Sequence, residues 1–293
     1  MTSLISILLV SSLAVLLASV AGGLGAILLG LGRQPAAAAD GPTTATAGVG
    51  GGPRLLQRGA AVGLVGAFAL LVAALALRTV LIGHAPWSNL HEFSLAFAAA
   101  LIGTHLLLAR AHPLDGLAPL TALLAAGLVI FALALDDRVD PLVPALQQPF
   151  LLTVHVGAAV LAYAVTGVAV VAAAAEIGQL RGGDRIPMLP SAASARAIGH
   201  RAVLVAFPIL TIAIALGSVW ANLAWRSYWN NDPKELAAAA TWLVFGAYLH
   251  VAGRRDRWER LAPWLIVLGF GGVLFTYIGA GLFFIGEHSY AAP

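Results

Sequence analysis

The chain of 293 residues is 60% hydrophobic and only 10% charged, with a formal net charge of +3. Soluble domains carry about 25% charged residues and need a polar shell, so this composition excludes a soluble enzyme, a disordered chain and a nucleic-acid-binding domain. Cysteine is absent, which excludes disulfides, thiolate metal sites and a cysteine nucleophile, and leaves any metal chemistry to the eight histidines.

A helix needs about 20 apolar residues to cross a bilayer. The first such run, 4–31, is uncharged until Arg33. It has no basic segment before it and no small-residue cleavage site leading into a polar domain, so it reads as a span rather than a signal peptide. An Ala-, Gly- and Thr-rich connector at 35–53 holds no core-forming residues. Further runs at 57–81, 92–109, 117–135, 150–175, 202–221, 235–252 and 261–284 bring the expectation to eight spans. The fold class expected is all-α, a polytopic membrane helix bundle. Its predicted division is 1–56, a first transmembrane helix with a flexible cytoplasmic linker, and 57–293, the main membrane domain.

Basic residues orient such a bundle, because cytoplasmic loops carry the excess of Lys and Arg. With the N-terminus outside, the inner face holds twelve: Arg33, Arg54, Arg58, Arg110, Arg181, Arg185, Arg196, Arg201, Arg254, Arg255, Arg257 and Arg260. The outer face holds four: Arg78, Arg138, Arg226 and Lys234. An even number of spans then places the C-terminus outside as well.

In this frame three outer segments carry histidine. GHAPWSNLHE at 83–92 contains His84, QQPFLLTVHVGAAVLAY at 147–163 contains His155, and the terminal GEHSY contains His288. Imidazoles on opposite sides of a plane are how iron in a porphyrin is held. Zinc does not fit, since neither Cys nor clustered carboxylates accompany these residues. A fourth outer segment, WANLAWRSYWNNDPKELAAAATW at 220–242, holds Trp220, Trp225, Tyr228, Trp229 and Trp242. An interfacial aromatic belt would spread such residues over many helix ends; here they gather in one loop. A flat apolar ligand with acidic edges would find stacking faces there, and Arg226 and Lys234 to meet its acids. Asp232, Pro233 and Glu235 also read as a helix start, with Asp at N-cap, Pro at N1 and Glu at N3.

The run WANLAWRSYWNNDPKELAAAATWLVFGAYLH resembles the tryptophan-rich "WWD" signature of haem-handling membrane proteins, and is most similar to the CcsA/ResC subunit of System II cytochrome c biogenesis. The order of the other pieces agrees: GHAPWSNLHE before it, then LLTVHVGAAVLAYA, and after it YLH and the terminal HSYA. The resemblance covers roughly 83–290. It implies that His155 and His288 are the external axial ligands of an outward-facing haem b (iron protoporphyrin IX). Trp220 and the segment Trp225, Arg226, Tyr228, Trp229 with Asp232 would cradle that haem, and His250 would hold haem on its way across the membrane. It implies a partner of the CcsB/ResB type, which supplies the other transmembrane histidine, an apocytochrome c presenting Cys-x-x-Cys-His, and a location in the cytoplasmic or thylakoid membrane. The activity implied is that of a holocytochrome c synthase: haem is delivered across the membrane, held by two histidines, and joined by thioether bonds to the apocytochrome.

The chain departs from the family pattern in places. Asn231 stands where another Trp is usual, Arg226 where Gly is usual and His91 where Tyr is usual, and Glu287 precedes the last His. Glu235 to His250 spans 15 residues, about 22 Å along a helix, so His250 is deep and cannot share an iron with His155 and His288. His105, five residues before Arg110, has a similar expected depth. It either pairs with His250 or is a hydrogen-bonded bundle histidine. His84 either closes the outer site or caps its own loop, and His91 starts a helix. His112 and His200 fall in or beside inner loops, and Trp87 reads as an interface anchor. Two alternatives stay open: a haem exporter or chaperone of the CcmC type without ligase activity, and a b-type haem electron carrier.

Overall fold

The computed structural model describes residues 2–32, 51–138, 149–253, 260–284 and 286–288. Most of the 35–53 connector, Arg33, Arg254, Arg255, Arg257 and Tyr290 lie outside the described residues.

The described residues form helices joined by turns and loops, without a strand. They form α1 Thr2–Leu31, α2 Gly51–Ile82, α3 Leu90–Ala109, α4 Ala118–Leu133, α5 Pro149–Arg181, α6 Ala192–Trp225, α7 Pro233–Val251 and α8 Ala262–Leu274. The last helix continues through a π turn, Phe275–Gly279, into a short α9, Ala280–Phe283. Seven of these described helices are long and apolar enough to cross a membrane, with α8, the π turn and α9 counting as one span. The exception is α7. It reaches 19 residues, but Lys234, Glu235, Tyr248 and His250 dilute its apolar run. The eighth predicted span is therefore a helix of spanning length and mixed composition.

The packing follows from which faces are small. The α1–α2 hairpin lies against α3 and α4, α5 runs along α6 and touches α3 and α8, and α7 packs on α8 and α6. On α1 the buried face is Ile5, Leu9 and Leu16 together with the small Ser12, Ser19, Gly23, Ala26 and Gly30, while Leu24 and Leu28 are exposed. Hydrocarbon is as apolar as leucine, so burying leucine between helices gains little, and the small residues along this face are what allow close approach. α5 is the central helix, with 67% of its apolar window buried against 28% for α1, α2 and α6.

Two features aim the bundle at one end. α6, at 34 residues, is about 51 Å long, longer than a hydrocarbon core of about 30 Å, so its Trp220–Trp225 end can project past the apolar layer. At the same end a buried ion pair, Arg78 Nε to Glu92 Oε1 at 3.0 Å, ties α2 to α3. The other Glu92 oxygen accepts from Ser88 N at 2.9 Å and Ser88 Oγ at 2.7 Å, and Asn89 caps α3 by accepting from Glu92 N. The 83–92 segment is thereby held as a rigid corner.

Candidate functional site

The tryptophan-rich segment begins as the last turn of α6. Arg226 ends that helix in the left-handed conformation, φ 62°, ψ 23°, with its N–H bonded to Asn222 O. This is the C-terminal position that favours glycine, so the family's usual Gly and this chain's Arg226 answer the same backbone requirement. Asn231 also sits at positive φ, 55°, which Asn tolerates better than most residues, and its Oδ1 accepts from Trp229 Nε1 at 2.9 Å. Asp232 then opens α7 through a full capping box with Glu235, Pro233 following at the first turn.

Asp232 has a second role. Its Oδ1, besides accepting from Lys234 N, lies 2.8 Å from His288 Nδ1. The carboxylate is almost fully buried. Burial opposes its charge, but the hydrogen bond and charge of His288, with the backbone N–H groups of Lys234 and Glu287, outweigh that and hold its pKa at about 2. The tail comes close enough for this contact because residue 286 is glycine: a Cβ there would lie 2.9 Å from Pro233 Cδ and press on Asp232 itself.

His155 reaches the same place from the start of α5. Its Nδ1 is 2.9 Å from Ala213 O on α6, and its ring lies against Gly217, where a Cβ would stand 2.7 Å from His155 Cε1. Trp220 joins the two histidines. Its indole is nearly parallel to the His155 ring, 9° and 6.1 Å between centroids, and lies 5.8 Å from the His288 ring. Trp225 packs edge-on against both Trp220, at 4.8 Å, and His288, at 4.9 Å.

These groups border an open cavity of ≈ 200 Å³. His155, Trp220 and His288 line it, together with the exposed Tyr228 and Trp229. The wall continues along α6 to Ala213 and Leu210 and ends among Phe93, Tyr163 and Tyr277. Phe93 stacks on Tyr277 at 5.0 Å, and the Tyr277 hydroxyl is bonded to Ser94 Oγ. Tyr277 belongs to the π turn, an irregularity often found at functional sites.

The remaining sequence-predicted residues go elsewhere. Arg226 is not among the cavity's lining residues and serves as the α6 cap. His84 is also off the cavity, its Nδ1 2.9 Å from the carbonyl of its own neighbour Ala85. His250 is exposed on α7, on the opposite side from buried Tyr248. His105 is buried between α3 and α4, its Nδ1 2.8 Å from Thr121 Oγ1. An internal His105–His250 pair is thus ruled out: one faces outward on α7, the other is sealed in a different part of the bundle. His91 is buried in the first turn of α3 beside Ala132 O, His112 meets Arg201, and His200 faces the Tyr248 hydroxyl at 3.3 Å. Sequence reasoning missed much of the cavity lining, Trp87, Phe93, Tyr163, Tyr277 and Gly217 among it. Only Trp87, adjacent to the conspicuous 83–92 motif, carried a signal.

A family model described as "Cytochrome C assembly protein" matches residues 87–288, which run from the rigid corner to the histidine of the tail. The chain belongs to that family. Curated relatives agree. Cytochrome c biogenesis protein CcsA of Synechococcus sp. (strain CC9902) is 36% identical over 253 residues, covering 75% of this chain and 83% of the relative. CcsA of Synechococcus sp. (strain RCC307) is 35% identical over 258 residues, 78% of this chain and 83% of that protein. CcsA of Chlamydomonas reinhardtii is 36% identical over 232 residues, 75% of this chain and 65% of that protein. Membership ties the chain to cytochrome c assembly, and with seven spanning helices among its described residues it is a multi-pass membrane protein.

Proposed function

We propose that the cavity is where this chain holds haem b for cytochrome c maturation, with His155 and His288 as the axial ligands of its iron. The observation that carries the reading is the meeting of two imidazoles, from α5 and from the tail, on one buried indole at the side of one open cavity. Both imidazoles are oriented through Nδ1, one by a backbone carbonyl and one by a carboxylate. That is the outer-sphere arrangement by which proteins fix an imidazole and present Nε2 to a metal. Two nitrogen donors, an aromatic rim and an apolar wall suit an iron porphyrin and do not suit zinc.

Haem is the cargo here, and the chain's residues bind, orient and shield it. His155 and His288 would keep the iron six-coordinate and limit its side reactions. Tyr228 and Trp229 would cover the ring, and Trp220 would set the spacing of the two ligands. An apocytochrome presenting Cys-x-x-Cys-His then adds each thiol across a porphyrin vinyl group. A sulfur–carbon bond forms and the thiol hydrogen goes to the neighbouring vinyl carbon, so the step consumes no oxidant. The substrate's histidine displaces one protein ligand from the iron.

His250 belongs to a second, deeper position in this proposal. About 22 Å from the α7 start and on an exposed face, it suits a haem shared with a CcsB/ResB-type subunit. The basic bias of the loops supports an extracytoplasmic position for the cavity. The test is co-expression of the chain and its partner subunit with a c-type reporter. His155→Ala and His288→Ala are each expected to abolish maturation, with partial rescue by added imidazole, while His250→Ala lowers the haem that co-purifies. Full maturation in both outer variants would refute the ligand assignment.

A further inference from the structure

Lys234 is the one lysine or arginine among the described residues lining the cavity. Two carboxylates stand nearby, and neither pairs with it directly. Glu235 Oε2 accepts from Asn230 N at 2.8 Å and Asp232 N at 3.1 Å. Asp232 Oδ1 is taken by His288 Nδ1 and Lys234 N, while Asp232 Oδ2 is buried with no hydrogen-bond partner among the described residues and acts on Lys234 through its charge alone. Among the described residues no carboxylate stands within ion-pair distance of Lys234 Nζ. A largely enclosed ammonium without a contact partner is costly unless a ligand supplies one.

A second donor belongs to another residue that lines the cavity. Trp220, 2% exposed, has an Nε1–H with no hydrogen-bond partner among the described residues. Buried indole N–H groups are normally satisfied, so this one too calls for an acceptor. Trp220 touches the His288 ring, and Lys234 borders a small crevice with His288. An ammonium and an unsatisfied N–H therefore flank the proposed ligand from the tail. The other cation of the aromatic loop, Arg226, is exposed and does not line the cavity.

We propose that Lys234, assisted by the Trp220 N–H, forms a carboxylate subsite that binds an acidic substituent of the porphyrin and so fixes the rotation of the ring about the His155–His288 axis. This rests on the haem reading above and adds the chemical class of group that the cavity recognises. Rotation matters because it decides which edge of the ring, acidic or vinyl-bearing, faces the mouth.

The test is a comparison of iron protoporphyrin with its dimethyl ester, which keeps the iron and the ring but removes both acid charges. Each is titrated by absorbance into the full chain, purified with its partner subunit, in wild type, Lys234→Met and Lys234→Arg. In wild type the ester is expected to bind about tenfold or more weakly than the free acid, the scale of one charge-assisted hydrogen bond. Lys234→Met should weaken the free acid by a similar factor and leave the ester unchanged, and Lys234→Arg should restore the preference. Equal binding of acid and ester by wild type overturns the subsite alone, with no variant required. Equal losses for both porphyrins in Lys234→Met do the same, since a structural role would not distinguish them. Failure of wild type to bind either porphyrin overturns the haem site and the subsite with it.

Discussion

His155 and His105 are the same object at the level of sequence: one histidine inside a long apolar helix. They are also alike locally, each with Nδ1 bonded to a group on a neighbouring helix, Ala213 O for one and Thr121 Oγ1 for the other. The difference lies on the far side of the ring. Gly217 opens space beside His155 and a cavity continues from it, whereas His105 is 2% exposed and packed in. An imidazole becomes a candidate ligand through the room around it, and its own hydrogen bond does not distinguish the two cases.

Substitutions can break or sharpen that contrast. The largest expected effect is on the open side: His155→Ala should abolish reporter maturation and be partly restored by imidazole, and His105→Ala should leave maturation per folded molecule near wild type. Next is Asp232. Asp232→Ala removes both the α7 cap and the hold on His288, and outer-sphere losses of this kind typically cost 10- to 100-fold in metal affinity, on the order of the expected drop in haem retention. Asp232→Asn, which can still cap the helix and accept from an imidazole N–H, should retain more haem than Asp232→Ala, as read by the haem-to-protein absorbance ratio. Filling the space comes third: Gly217→Ala pushes on the His155 ring and should slow maturation by roughly tenfold, within the loss of up to about a hundredfold that a misplacement of about 1 Å can cause.

The two smallest effects are on stability. His105→Ala strands a buried Thr121 hydroxyl and should destabilise the protein by about 1–3 kcal/mol, measured by thermal melting in detergent. Arg226→Gly relieves a left-handed non-glycine residue and should raise stability by up to about 1 kcal/mol, with haem retention unchanged. A loss of haem in Arg226→Gly would show that its guanidinium reaches the ligand after all.

Much of the fold was legible. Spans show in sequence because a bilayer demands about 20 apolar residues in a row, and the structure places helices on all eight predicted stretches. The start of α7 was legible for a similar reason: a capping box is local chemistry, and Asp232, Pro233 and Glu235 form it as read. Arg226 was harder. Its composition pointed to an acid-binding role, but its backbone position was claimed by a helix end, a geometric demand that a residue count does not express. Tyr163 and Tyr277 were invisible because one aromatic in an apolar helix looks like another until a π turn and a neighbouring helix orient it.

The sequence by itself determined that this is a membrane bundle and where α7 starts, because hydropathy and capping act through neighbours along the chain. Only the tertiary structure decided which histidines share a cavity, that Asp232 clamps the tail, and that Lys234 lines the cavity while Arg226 does not. Those outcomes depend on close approach between α5, α6, α7 and the tail, governed by small residues such as Gly217 and Gly286, and close approach has no signature within a single helix.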